Sequence, residues 1–307
     1  MSENTTVRPF TTVVIVTYNR REKLLRLLQS VAASDYPADR LEIIVVDNVS
    51  TDGTVAAVRQ AFPSVRVLAQ ENNLYSAGGR NVGAAAAAGE AIFFIDDDNI
   101  LDPHCISQLI EALENDAQFG LVAPLMMRYP EQDIIWCAGG RLSGVGMPYH
   151  LFEGQRRSET LLPDVIKSTD YYPNAYLVRA EIFRRGIWHD TELFPHNWNE
   201  QDYCMKVKRA GYALATVTAA VTYHDIGYST RITRVGRDKT YDQARARILF
   251  RRLYLNVPVQ WLFFFLVLFP ASTLYYMRIF ASQRDEKFFI LLSAYLKGSW
   301  NGFRQHI

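Results

Sequence analysis

The chain has 307 residues, 49% of them hydrophobic, enough to bury a sizeable core in one large α/β domain or a domain with an appendage, which excludes intrinsic disorder. Its three cysteines, Cys105, Cys137 and Cys204, are scattered, which excludes a disulfide framework and a paired-cysteine zinc site and favours a reducing compartment. The net charge of +1 hides an asymmetry: residues 231–307 hold 13 Lys/Arg against 4 Asp/Glu and residues 1–230 hold 20 against 28, so a basic tail on an acidic body is expected to meet an anionic surface, membrane lipid first, and no nucleic acid.

Met1 to Thr12 is polar, with Glu3, Arg8 and Pro9, and lacks the apolar core of a secretory signal, so catalysis is expected to face the cytoplasm. Thr12-Val13-Val14-Ile15-Val16-Thr17 is a β-branched run that Tyr18-Asn19-Arg20 breaks before the helical pattern Leu24, Leu25, Leu27, Leu28 and Val31. Leu41 to Val46 repeats the strand signal and ends at Asp47-Asn48-Val49-Ser50-Thr51-Asp52-Gly53-Thr54, followed by a short helix on Val55, Val58, Ala61 and Phe62. Val65 to Leu68 reads as a third strand. Ser76-Ala77-Gly78-Gly79-Arg80-Asn81-Val82-Gly83 then opens a helix running through five alanines to Gly89. Glycines at a helix start let the backbone approach a phosphate, and Arg80 can pair with one; ordinary turn chemistry explains the same Gly-Gly.

Ala91-Ile92-Phe93-Phe94-Ile95 reads as a strand buried on both faces and ends in Asp96-Asp97-Asp98-Asn99. Three adjacent acids there repel one another and lose hydration, so a cation is expected. Oxygen ligands suit Mg²⁺ or Mn²⁺, with further ligands from a diphosphate; a solvated acidic turn with Asn99 and Pro103 is the plain alternative. Strand and helix alternate throughout, so a largely parallel sheet is expected, with its loops gathered at the strands' C-terminal ends.

Beyond Asp102-Pro103, Ile106, Leu109, Ile110 and Leu113 mark an amphipathic helix, and Leu121-Val122-Ala123-Pro124 leads into a second half. There Trp136-Cys137-Ala138-Gly139-Gly140-Arg141-Leu142 fits a strand with a glycine bulge. Asn199-Glu200-Gln201-Asp202-Tyr203-Cys204 places acids where a helix N-terminus favours them, and Leu214 to Tyr223 reads as a strand ending at His224-Asp225-Ile226-Gly227. From Arg245, Arg247, Arg251 and Arg252 the chain turns basic, and Leu253 to Met277 then runs 25 residues without a charge. About 20 apolar residues suffice to span a bilayer. Pro258 and Pro270 interrupt the run, and Arg252, Arg278, Arg284 and Lys287 put positive charge at both ends, so no single-pass orientation follows. Phe288 to Leu296 is too short to span and suits an interfacial helix anchored by Trp300 and Phe303. Monotopic or re-entrant attachment, a true span and burial in a homo-oligomer all remain open.

The order and spacing of Val16-Thr17-Tyr18-Asn19-Arg20, Val46-Asp47-Asn48-Val49-Ser50-Thr51-Asp52-Gly53-Thr54, Gly79-Arg80-Asn81-Val82-Gly83 and Phe94-Ile95-Asp96-Asp97-Asp98 resemble the nucleotide-sugar half of a family 2 glycosyltransferase with the GT-A fold. The resemblance runs from about Thr12 to His224. It implies an α/β, Rossmann-like, mostly parallel sheet flanked by helices, with a catalytic domain over residues 1–230 (12–125 the nucleotide-sugar half, 126–230 the acceptor half). Residues 231–307 would be a basic and apolar helical tail associated with the membrane. The implied reaction is metal-dependent inverting transfer of a hexosyl or deoxyhexosyl group from a nucleotide-diphosphate sugar to a hydroxyl of a saccharide or lipid-linked acceptor.

In that resemblance Thr17 and Tyr18 line the base pocket with Arg20 in the same donor-side loop, Asp47 accepts from the base or ribose, and Arg80 faces the nucleotide. Asp96 and Asp98 are the outer acids of the Asp-x-Asp motif, reaching ribose or metal, and Asp97 fills its middle position on the donor. His224 approaches the metal or the diphosphate. Residues 136–142 also resemble a Gly-Gly element of the rhamnosyltransferase-like branch, which hints at a deoxyhexose donor. On the acceptor side, alignment on Gly211-Tyr212 puts Glu200 where the catalytic base stands, Asn199 where a glutamate precedes it, and Asp202 at the second acid. Two other classes make contrary demands. A sugar-nucleotide nucleotidyltransferase needs a Gly-rich basic loop after its first strand, where this chain has Tyr18-Asn19-Arg20-Arg21; a non-catalytic membrane scaffold would have lost acids that are present here.

Overall fold

The computed structural model describes residues 8–144, 146–225, 236–255, 258–282 and 288–307. Its first half alternates β1 (Thr11–Thr17), α1 (Arg21–Ala32), β2 (Leu41–Asp47), α2 (Thr54–Ala61), β3 (Arg66–Ala69), α3 (Tyr75–Ala86), β4 (Ala91–Asp96), β5 (Asn99–Leu101) and α4 (Cys105–Asn115). The β-branched and aromatic runs are the strands: Val13, Val14, Ile15, Phe93 and Phe94 are fully buried, as are Leu24, Leu27 and Leu28 on the inner face of α1. β1 pairs in parallel with β2 and β4, and the register sets Thr17 opposite Asp47 and Val16 opposite Asp96. Three expected donor-side positions thus share one sheet edge.

The second half contributes β6 (Phe119–Arg128), β7 (Ile135–Cys137), β8 (Gly140–Leu142), β9 (Pro148–His150), β10 (Val165–Ile166), β11 (Ala175–Arg179), α5 (Glu181–Arg184), α6 (Asn199–Arg209) and β12 (Ala213–His224). The sheet order is β10-β12-β6-β11-β4-β1-β2-β3, with β5 on β12 and β7 on β6. Parallel pairing holds from β3 to β4, whereas β11 lies antiparallel between β4 and β6, so the sheet is mixed. The chain reaches β11 through the β8–β9 hairpin and irregular segments with no crossover helix, which frees it from running parallel. Residues 136–142 break into β7 and β8 at Gly139, whose φ of +103° is the glycine irregularity expected there.

α3 begins at Tyr75, so Gly78, Gly79 and Gly83 lie inside the helix and not on a phosphate loop before it. Their place is steric: a Cβ on Gly79 would meet Val16 Cγ1 at 2.6 Å, and one on Gly83 would collide with Val14. The glycines seat α3 close against β1, which carries Arg80 beneath the sheet edge.

α7 (Arg237–Tyr254), α8 (Pro258–Phe263), a π-helical turn over Phe264–Leu268, α9 (Phe269–Ser282) and α10 (Phe288–Arg304) complete the chain. Pro270 is the second residue of α9, just past the π turn, where a missing N–H is tolerated. Trp261–Arg278 is long and apolar enough to cross a membrane, by length and composition. α10 extends past the expected Leu296 and packs on α7, with Gly302 so close that a Cβ would stand 2.7 Å from the Arg245 carbonyl oxygen. Arg284, Lys287, Ile226 and Gly227 lie outside the described residues.

Gly83→Ala should destabilise the protein. The collision with Val14 costs about 1–3 kcal/mol, more than the roughly 0.5–1 kcal/mol that alanine gains over glycine inside a helix. Urea unfolding should show a lower midpoint at unchanged slope; a raised midpoint would mean slack between α3 and β1.

Candidate functional site

At the end of β4 the three acids diverge. Asp97 turns inward, 3% exposed, and accepts from the Thr17 hydroxyl at 2.8 Å and from Arg20 Nη1 at 2.9 Å. Arg20 Nη1 also reaches Asp98 Oδ2 at 2.8 Å. Burial pushes the Asp97 carboxyl up to about 6 despite the adjacent guanidinium. Burial also acts to raise Asp98, but His224 and Arg20 outweigh it and hold that carboxyl below its ordinary value. Asp97, expected on the donor, is therefore buried beneath the loop that follows β1, because its inward turn satisfies Thr17 and Arg20.

Asp96 meets a second arginine. Arg80, 2% exposed, donates from Nη2 to Asp96 Oδ1 at 2.7 Å, and from Nη1 to Asn199 Oδ1 at 2.6 Å and Glu200 Oε1 at 2.7 Å. The Tyr176 ring lies 5.8 Å from its guanidinium carbon. The expectation that Arg80 faces the nucleotide gives way to a buried tie between β4 and the first turn of α6, since its donors are spent on protein carboxylates. Two guanidinium groups also supply the positive charge that three adjacent acids were expected to demand.

Glu200 lines a cavity of about 460 Å³ together with His150, Tyr171, His196, Trp198 and Lys239. Burial raises its pKa above the usual value and Asp96 adds to that, while Arg80 acts in the opposite direction. Asp202 is turned away: 1% exposed, it accepts from the Tyr254 hydroxyl at 2.6 Å and pairs with Lys206 at 2.8 Å. Two residues apart on α6, the acids lie about 200° from each other around the helix and so on opposite faces, and of the two only Glu200 lines the cavity.

His224, at the end of β12, places Nε2 3.4 Å from Asp98 Oδ1, and the Trp136 ring, 4.2 Å from His224 and 5.0 Å from His150, connects that pair to the cavity wall. Among the described residues no three His, Cys, Asp or Glu side chains converge on one ion position. A carboxylate beside an imidazole nonetheless fits a hard-to-borderline cation whose other ligands come from substrate and water. In the loop after β1, Tyr18 is half exposed. Asp47 is buried, takes the Ser50 N–H at 3.0 Å on Oδ2, and its Oδ1 has no hydrogen-bond partner among the described residues. The loops after β1 and β2 are stitched by Asn19 N–H to Ser50 Oγ at 2.9 Å and Thr51 N–H to Asn19 Oδ1 at 2.7 Å.

Sequence reasoning missed His150, Glu153, Tyr171, His196, Trp198 and Lys239. Most stand in irregular segments without periodicity, and Lys239 lies in the stretch read as tail. A Trp immediately before the acidic helix start was the one available signal.

A glycosyl transferase family 2 model matches residues 12–171, about half of the chain. Glycosyltransferase AglE of Haloferax volcanii is 34% identical over 103 residues, 33% of this chain and 33% of that protein. A poly(ribitol-phosphate) β-N-acetylglucosaminyltransferase TarS of Staphylococcus aureus is 26% identical over 185 residues, 59% of this chain and 29% of that one. The chain thus spans about a third of the length of these curated relatives. The mannosyltransferase PcManGT of Pyrobaculum calidifontis, solved with GDP-Man and Mn²⁺, shares the fold at a TM-score of 0.61 and 16% identity, over 97% of this chain and 88% of that one.

Arg80→Met would leave Glu200 and Asp96 facing each other without a cation, a loss of about 3–5 kcal/mol at neutral pH. Without Arg80 the Glu200 carboxyl rises further above its unfolded value, so the folded state holds a proton more tightly than the unfolded chain. The deficit should shrink as the pH falls from about 7 to about 4. Denaturation at several pH values checks this; a deficit independent of pH would contradict the ion-pair assignment.

Proposed function

The chain belongs to glycosyl transferase family 2, and on that premise we propose that it is an inverting, metal-dependent glycosyltransferase moving a sugar from a nucleotide-diphosphate donor to a saccharide or lipid-linked hydroxyl at the cytoplasmic face of a membrane. The observation that carries the reading is the Arg80 guanidinium, which joins Asp96 of the donor motif to Glu200 at the wall of a cavity.

In this reading the unpartnered Asp47 oxygen and Tyr18 receive the base or ribose, with Thr17 and Arg20 bracing the Asp97–Asp98 turn beneath. Asp98 and His224 would hold a divalent cation, Mn²⁺ or Mg²⁺, and the ion, when bound, would offset the charge of the departing diphosphate. Glu200 accepts the proton of the acceptor hydroxyl as that oxygen bonds to the anomeric carbon and the bond to the diphosphate breaks on the opposite face. A raised pKa suits a base, provided Arg80 keeps the carboxylate ionised at neutral pH. GDP-sugars, given the GDP-Man of the mannosyltransferase neighbour, and UDP-sugars, given the UDP-GlcNAc bound to a solved TarS structure, are the donors to test first. The 136–142 element keeps deoxyhexoses among the sugars.

Membrane attachment in the plane of the interface is favoured by the tail packing. Phe265 stacks on Phe303 at 5.5 Å and Phe269 on Tyr295 at 6.2 Å, so α8–α9 lies alongside α10, which is fixed to α7. Arg247 and Arg251 sit 5.6 and 4.7 Å from the Phe264 ring, tying the apolar stretch laterally to the catalytic body.

Two tests follow. Asp98→Asn should abolish Mn²⁺-dependent donor binding in calorimetric titration, whereas Glu200→Gln should keep binding and lose ~10²–10⁴-fold in turnover; Asp202→Asn should be milder, and the roles exchange if it is the more damaging. Leu262, Leu266 and Leu274 are 60, 68 and 67% exposed, so changing all three to Glu should spare the fold. The variant should no longer float with anionic vesicles; undiminished flotation would place the attachment elsewhere.

A further inference from the structure

The acceptor-side acid does not stand on its own half of the chain. Glu200 follows a tight turn in which Trp198, with φ of +66°, caps α6 in a left-handed conformation that a bulky residue adopts only when its surroundings hold it there. What holds it comes from α7. Asp242 Oδ2 accepts from both the main-chain N–H of Asn197 at 3.1 Å and its side-chain amide at 2.8 Å, while Oδ1 pairs with Arg245 at 3.1 Å. Arg245 in turn donates to the Leu193 carbonyl at 2.9 Å, at the start of the same turn. Trp198 packs on Phe250 with ring centroids 4.9 Å apart. The same helix contributes Lys239 and Gln243 to the lining of the cavity that Glu200 also lines.

We propose that Asp242 is a positioning residue for the reaction: by gripping both N–H groups of Asn197, it locks the left-handed Trp198 and so fixes the direction in which Glu200 enters the cavity. This rests on the reading of Glu200 as general base. α7 is on this view part of the catalytic body, and the sugar-transfer half of the site is incomplete without it. The physical reason is distance along the chain. Only Trp198 and Asn199 separate the anchored Asn197 from Glu200, so rotation at the released turn moves the carboxylate directly, and misplacement by about 1 Å costs roughly a hundredfold in rate.

The test uses the full chain and, with water in place of the acceptor, hydrolysis of whichever GDP- or UDP-sugar raises the melting temperature most with Mn²⁺. Asp242→Ala should lower kcat about ten- to a hundredfold and leave the donor KM unchanged. Asp242→Asn keeps an oxygen for the Asn197 N–H groups and should recover most of that loss. Asn197→Ala, which removes one of the two hydrogen bonds and leaves α7 intact, should show the same kcat effect in smaller measure even if Asp242→Ala fails to fold. Glu200→Gln should cost much less in the Asp242→Ala or Asn197→Ala background than in the wild type, because a displaced base has less to lose. The proposal falls if Asn197→Ala and the Asp242 variants keep kcat within about twofold, or if Glu200→Gln costs the same factor in every background. A Glu200→Gln protein that turns over normally by itself would instead overturn the base assignment.

Discussion

One buried guanidinium sets the geometry of this protein. Arg80 has almost no contact with solvent, yet it carries a charge, and removing that charge from water is affordable only because Asp96 and Glu200 converge on it with Asn199 filling another acceptor position. The three partners come from opposite halves of the chain. β4 and α6 are therefore fixed relative to each other by a contact that cannot shift without stranding a buried charge. Hydrophobic packing tolerates sliding; this arrangement of planar donors and carboxylates does not.

Arg80 reaches that position because α3 lies so close to β1, and the closeness depends on glycine. Gly79 and Gly83 face Val16 and Val14 where no Cβ fits. The residues that look in the sequence like a phosphate-binding loop are in the fold a packing surface that begins at the residue before the arginine and continues about one helical turn beyond it. Strain concentrates around the same edge: Asn19, Val49, Tyr75 and Trp198 are all non-glycine residues at positive φ, each beside a strand end or helix start that borders the site. Their neighbours hold them, as the Asn19–Ser50–Thr51 stitches illustrate.

The donor half was legible from sequence because its signals are local. A β-branched run, a polar loop and an apolar helical period identify β1 and α1 without knowledge of anything else, and a hydrophobic run that stops at three acids marks a strand end where a cation is expected. What was not legible is which partner each charged side chain takes. Asp96, Asp97 and Asp98 are consecutive in sequence and end in three environments: on Arg80, under Thr17 and Arg20, and beside His224. Nothing in composition or periodicity distinguishes them. The antiparallel β11 was likewise hidden, since strand direction is decided by the connection, and the 46 residues between Arg128, the last of β6, and Ala175, the first of β11, carry no α-helix among the described residues to force a crossover.

The C-terminal region illustrates how composition can conceal two roles in one segment. Its charge excess and apolar run suggest a membrane appendage, and the exposed Leu262, Leu266, Leu274 and Trp300 fit that role. α7, however, shows its Arg247 and Arg251 to the apolar helices and its Phe250, Asp242 and Tyr254 to the turn and helix that carry Glu200 and Asp202. α10 docks on the same helix through Gly298 and Gly302 against its main chain, a contact too close to accommodate side-chain rearrangement. A helix held by main-chain contact on one side and by hydrogen bonds on the other transmits displacement instead of absorbing it. The exposed apolar surface of α8 and α9 and the turn that carries Glu200 are consequently tied through one helix, so that a displacement of either is passed to the other.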